Sequence, residues 1–132
     1  MSASEDLIRQ ELCKYARKTV TNRLVVGPGG NISARVGNTM LISPSGYSLD
    51  EIEPGEWVAV DIETGEYDRE KGLRPSSEVL MHLYAYREQP DIGAIVHTHP
   101  PYCIAFGLVV TDLPVMFPDL AALTGKTAFV PY

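Results

Sequence analysis

At 132 residues, with 45% hydrophobic and 21% charged positions, the chain has the make-up of one soluble globular domain with a real core. Its net charge of −6 and its eleven scattered Lys and Arg residues argue against a nucleic-acid surface. No apolar stretch reaches transmembrane length, and the acidic start Ser4-Glu5-Asp6 is unlike a basic signal-peptide n-region, so no membrane partner and a cytoplasmic location are expected.

In chain order, residues 4–22 read as a helix. Ile8, Leu12, Tyr15, Ala16, Thr19 and Val20 recur at helical spacing, and Glu5 and Asp6 suit the first turn. A glycine-rich turn, 27–30, follows. Residues 31–36 and 40–43 alternate polar and apolar around Gly37-Asn38 and predict a β-hairpin. Residues 57–62 read as a strand closed by a turn at 63–66, and the polar segment 66–75 as an exposed loop. Residues 76–87 predict a helix packed through Val79, Leu80, Leu83 and Tyr86. The β-branched run after Gly93 predicts a buried strand over 93–98, with short helices at 102–108 and 119–123 and a last strand at 127–130. Cys13 and Cys103 show no framework spacing and read as buried thiols. The expected class is α/β with a mixed sheet whose strands are partly antiparallel. The chain stops at Pro131-Tyr132 after that last strand, so it is expected to be a fragment or to have one sheet face covered by a neighbouring chain.

His97-Thr98-His99 carries the strongest chemical signal. Side chains alternate along a strand, so positions 97 and 99 point the same way and offer two imidazoles to one cleft, a set suited to Zn²⁺ or a similar first-row cation. Glu78 adds a carboxylate, as a metal ligand, a general base or both; alone it would be read as a helix-dipole partner in the first turn. His82, one helical turn after Glu78, is either a further ligand or a core histidine.

Three small-residue loops accompany these groups. Gly29-Gly30-Asn31, Ser43-Pro44-Ser45-Gly46 and Pro75-Ser76-Ser77 each present backbone N–H groups unobstructed by bulky side chains. Together they would make an anion pocket that needs no lysine, with Ser76-Ser77 opening a helix. Singly, each is only a turn or a cap. No P-loop or dinucleotide fingerprint is present, because Gly27-Pro28-Gly29-Gly30 leads into a strand.

In order and spacing, Gly30-Asn31-Ile32-Ser33, Ser43-Pro44-Ser45-Gly46, Pro75-Ser76-Ser77-Glu78 and His97-Thr98-His99 resemble the class II aldolase/adducin family, from about residue 6 to the end. The resemblance implies a three-layer α/β/α domain around a largely antiparallel sheet, assembled as a homotetramer with sites between subunits. It implies Zn²⁺ on His97, His99 and Glu78, with Glu78 turning from ligand to acid/base when substrate binds. It places the substrate phosphate on Gly30, Asn31, Ser45, Gly46, Ser76 and Ser77. The implied reaction is retro-aldol cleavage of a small ketose phosphate, such as L-fuculose 1-phosphate, to dihydroxyacetone phosphate and an aldehyde. Sugar-phosphate 4-epimerisation, decarboxylation and a non-catalytic adducin-like interaction module are the alternatives. The epimerase branch usually carries Asp at the position of Glu78, which favours an aldolase. The family's third metal histidine and C-terminal helices would fall beyond residue 132, so residues 1–132 are expected to be a single domain lacking its C-terminal part. Met116-Phe117-Pro118-Asp119 has no tyrosine where fuculose-type aldolases carry one, which implies a different aldehyde half.

Overall fold

The computed structural model describes residues 3–110, 114–115, 118–123, 128 and 130. The chain divides into two compact units, residues 1–99 and 100–132. The predicted strand at 127–130 and the Met116-Phe117 pair lie largely outside the described residues.

In the first unit, α1 (Ala3–Thr21) buries Arg9, Leu12, Cys13, Ala16 and Thr19, one stripe at helical spacing. Tyr15, expected on that stripe, is 49% exposed; at 100° per residue it lies about 60° outside the arc that Leu12 and Ala16 define. Lys14 and Lys18 flank its ring instead. The helix closes on Arg23 with φ +57°, whose turn pairs Leu24 N–H with Thr19 C=O at 2.9 Å. That closure directs the chain toward the glycine-rich loop.

Four antiparallel strands follow in the sheet order β3-β2-β1-β4: β1 (Asn31–Val36), β2 (Thr39–Ile42), β3 (Val58–Asp61) and β4 (Ala94–His97). Every pairing among the described strands is antiparallel, so the sheet is less mixed than expected. Alternation sorts the side chains to two faces. Ile32, Ala34 and Leu41 join Leu12, Cys13 and Ala16 of α1 in one core, closed by Trp57, whose indole N–H meets Cys13 Sγ at 3.1 Å. Met40, Ile42, Val58 and Val60 join Leu83 and Tyr86 of α2 (Val79–Glu88) in the other. A helix on each face gives the expected α/β/α layering.

Two elements differ from expectation. The second helix starts at Val79 and not at Ser76, because Ser76 C=O already accepts the Val79 N–H at 3.0 Å in a preceding turn. Its inward face carries His82 beside Leu83 and Tyr86, while Leu80 is 61% exposed. The strand β4 is half-exposed and not buried, with Val96 53% exposed, since among the described residues it pairs with β1 alone.

In the second unit, α3 (Pro101–Gly107) and α4 (Pro118–Leu123) match the predicted short helices within a residue or so. Cys103, expected to be buried, is exposed, as is every residue of the short helix that carries it.

Candidate functional site

The register of the β1–β4 pair sets the site. Asn31 stands directly opposite His97 at the end of the ladder, so their side chains share the face that α2 covers. Two residues further, His99 is tied to the turn that follows α1, its N–H bonded to Leu24 C=O at 2.9 Å. The glycine-rich loop passes so close behind that a Cβ at Gly30 would stand 2.8 Å from His97 C=O and 2.5 Å from Val25 Cγ1. Gly30 also has φ +73°, so no other residue fits there without strain.

The other two loops are stitched together. Pro44 and Pro75 form an isolated antiparallel bridge, with Ser45 N–H on Arg74 C=O at 2.9 Å and Ser76 N–H on Ser43 C=O at 3.0 Å. The Ser76 hydroxyl accepts the Glu78 N–H at 3.3 Å. These bonds occupy the amides of Ser45 and Ser76, two of the residues expected to offer theirs. Among the described residues, the N–H groups of Gly30, Gly46 and Ser77 meet no acceptor, one from each loop. All six residues expected around a phosphate line one open cleft of about 140 Å³ together with Glu78 and His99.

At the mouth of the cleft the metal-ligand candidates meet in a row. His97 Nε2 lies 2.7 Å from His99 Nε2 and 3.4 Å from Glu78 Oε2. Among the described residues no three His, Cys, Asp or Glu side chains stand in finished metal-holding geometry. At metal–nitrogen distances of about 2.0–2.1 Å, tetrahedral ligands sit about 3.3 Å apart. The Glu78–His97 separation matches that edge, whereas the two imidazoles, here hydrogen-bonded to each other, would have to part by about 0.6 Å. The donor types and their convergence therefore fit a zinc-like ion after a side-chain adjustment.

Behind Glu78 the site is polar but buried. Asn31 Nδ2 donates to Glu78 Oε2 at 2.8 Å, and Asn31 Oδ1 meets His82 Nε2. On its other side His82 Nδ1 is 2.7 Å from Ser33 Oγ, which is 2.8 Å from Tyr86 OH. Both ring nitrogens of His82 are thus engaged within the core and the residue is not a metal ligand here. Burial lowers its pKa from 6.5 to about 4, reinforced by His97 and opposed by the Glu78 carboxylate. Burial likewise raises Tyr86 above the usual phenol value. Sequence reasoning passed over Ser33 and read Tyr86 only as packing. The available signal was periodicity: Ser33 is two residues from Asn31 on one strand face, and 78, 82 and 86 form one column of a helix face.

Comparison with known proteins agrees with this arrangement. The family model described as Class II Aldolase and Adducin N-terminal domain matches residues 10–132. An L-fuculose phosphate aldolase of Methanococcus maripaludis is 36% identical over 122 residues, 92% of this chain and 66% of that protein. A 5-deoxy-D-ribulose 1-phosphate aldolase of Bacillus thuringiensis is 35% identical over 126 residues, 94% of this chain and 58% of that protein. Among solved structures, YgbL from Escherichia coli, suggested to be an aldolase, epimerase or decarboxylase, superposes with a TM-score of 0.88 at 27% identity, covering 98% of this chain and 64% of that one. The chain thus spans roughly three-fifths to two-thirds of the length of these relatives.

Proposed function

The chain belongs to the class II aldolase and adducin family, and we propose that it carries out metal-assisted aldol cleavage of a small ketose phosphate, L-fuculose 1-phosphate being the model substrate. One observation carries the reading: three unpaired amides, one from each small-residue loop, surround a cleft whose mouth holds a carboxylate and two imidazoles. Phosphate requires clustered N–H donors, and aldol chemistry requires a Lewis acid and a proton carrier beside the reacting carbon. We assign residues 1–132 to a single catalytic domain of this type, acting in a cytoplasmic homotetramer.

In this reading the amides of Gly30, Gly46 and Ser77, with the hydroxyls of Ser45 and Ser77 and the Asn31 amide, hold the phosphate. Ser76 shapes the cradle through its bond to Glu78 N–H. His97, His99 and Glu78 would hold Zn²⁺, which when bound supplies a Lewis acid for the oxygens next to the breaking bond. Breaking the C3–C4 bond releases the proton of the C4 hydroxyl, as that carbon becomes the aldehyde, and leaves C3 of the dihydroxyacetone phosphate fragment short of one; the Glu78 carboxylate takes up the first proton and delivers it from Oε2 to C3. In the condensation direction the same oxygen removes that proton. Asn31 holds this oxygen in place.

The test is a screen of ketose 1-phosphates and sugar-acid phosphates with the zinc-loaded protein, reading dihydroxyacetone phosphate and carbon dioxide. Dihydroxyacetone phosphate release that stops on chelation supports the reading. Carbon dioxide release, or isomerised sugar without cleavage, would assign the cleft to decarboxylation or epimerisation, reactions named for YgbL. A protein that binds no metal and turns over none of these would fit an interaction module.

A further inference from the structure

Behind the cleft runs a row of polar side chains that touches neither the phosphate cradle nor the imidazole pair through its inner members. Ser33 and His82 are fully buried, Tyr86 is 1% exposed and Asn31 5%. Such groups in the centre of an α/β sandwich cost stability unless each is paired, and here each is.

With Glu78 ionised and the His82 ring neutral, one arrangement of protons satisfies the whole row. An ionised carboxylate only accepts, so Asn31 turns its Nδ2–H toward Glu78 and its Oδ1 toward His82. An amide oxygen also only accepts, so His82 carries its hydrogen on Nε2. A neutral ring then has its lone pair on Nδ1, and the Ser33 hydroxyl donates to it. The remaining Ser33 lone pair receives the Tyr86 hydroxyl. Every donor in the row points toward Glu78, so each bond polarises the next in the same sense.

We propose that His82 is a positioning residue for Glu78, its Nε2–H locking the Asn31 amide in the one orientation that presents Nδ2–H to the carboxylate. Without that lock the amide can turn over and set its oxygen against Glu78 Oε2, two acceptors facing each other across 2.8 Å. The assignment rests on the reading of Glu78 as the proton carrier, but it makes a prediction that needs no turnover. It also gives Ser33 and Tyr86 a purpose, since the Ser33 hydroxyl pairs the bare Nδ1 and Tyr86 in turn pairs Ser33. A histidine that merely filled core space would have no required tautomer and no coupling to Asn31.

Two arms test this. Ring nitrogen NMR of the chain at neutral pH reads the tautomer directly. A hydrogen on Nε2 and a bare Nδ1 at His82 support the proposal; a hydrogen on Nδ1 overturns it. This arm needs no substitution, so it decides even if a variant fails to fold or the aldolase reading fails. In the second arm, His82→Leu is expected to lower kcat at least about tenfold while KM for the sugar phosphate stays within about twofold. His82→Gln, which keeps an N–H donor, is expected to recover most of that loss. In an Asn31→Ala background, His82→Leu is expected to cost nothing further. Independent, multiplying losses in the double variant, or equal losses for Gln and Leu, overturn the proposal.

Discussion

Gly30→Ala tests the geometry that brings the glycine-rich loop against the histidine strand. Two separate costs apply. The left-handed backbone at φ +73° penalises any L side chain by roughly 1–2 kcal/mol. The new Cβ would also meet Val25 Cγ1 at 2.5 Å and His97 C=O at 2.8 Å. Val25 is a buried, β-branched side chain with few rotamers, and the His97 carbonyl belongs to β4, so neither can withdraw freely. Overpacking of this kind adds about 1–3 kcal/mol, for a total of about 2–5 kcal/mol. The hairpin offers an internal control. Gly37 has φ +61°, but nothing lies within 4 Å of a Cβ built there, so Gly37→Ala bears the backbone cost alone. Urea unfolding of both variants, compared at unchanged m-value, isolates the steric part as the difference in midpoint. Gly30→Ala is expected to be the less stable by about 1–3 kcal/mol. Equal losses would refute the close approach of the loop to His97, and with it the placement of the Gly30 amide beside the metal-ligand candidates.

Further outcomes follow from the same site. His82 has its folded pKa depressed to about 4 from 6.5, so its contribution is present above pH 6.5 and is lost as pH falls toward 4. Unfolding free energy should therefore drop by about 2 kcal/mol between pH 7 and pH 5 from this group, and the drop should shrink in His82→Gln when both proteins are unfolded in urea at the two pH values. Glu78→Gln should keep zinc bound yet lower cleavage by about 100-fold or more, seen in dihydroxyacetone phosphate release; near-normal turnover would remove Glu78 from the proton-carrier role. Ser45→Ala with Ser77→Ala should raise KM for the phosphorylated ketose several-fold with little change in kcat, and weaken competitive inhibition by inorganic phosphate in parallel. Unchanged inhibition would move the phosphate away from this cleft.

Much of the fold was legible because single-element periodicities decide it. The α1 stripe, the hairpin around Gly37-Asn38 and the α2 core residues Leu83 and Tyr86 all follow from repeats of 3.6 or 2. The exposure of β4 was not legible, since a run such as Ala94-Ile95-Val96 has the same composition whether one strand flanks it or two. The start of α2 was misplaced by three residues because Ser76-Ser77-Glu78 suits both a capping turn and a first helical turn. The stitching of Pro44 to Pro75, which only tertiary contact supplies, selects the turn. At the site, residue types that bind phosphate or metal stand out in the chain as small-residue loops and paired histidines. The Ser33–His82–Asn31 row does not, because a buried polar residue is recognised by its partners, and these lie 49 and 51 positions apart.

The central claim is that Glu78, His97 and His99 form one metal centre at the mouth of a phosphate-binding cleft. Calorimetric titration of the protein with Zn²⁺, beside His97→Ala, His99→Ala and Glu78→Ala, measures it most directly. One equivalent of zinc bound by the parent, with affinity falling at least about tenfold in each variant, is the predicted result. Zinc binding that is absent, or that persists unchanged when these side chains are removed, would contradict the account.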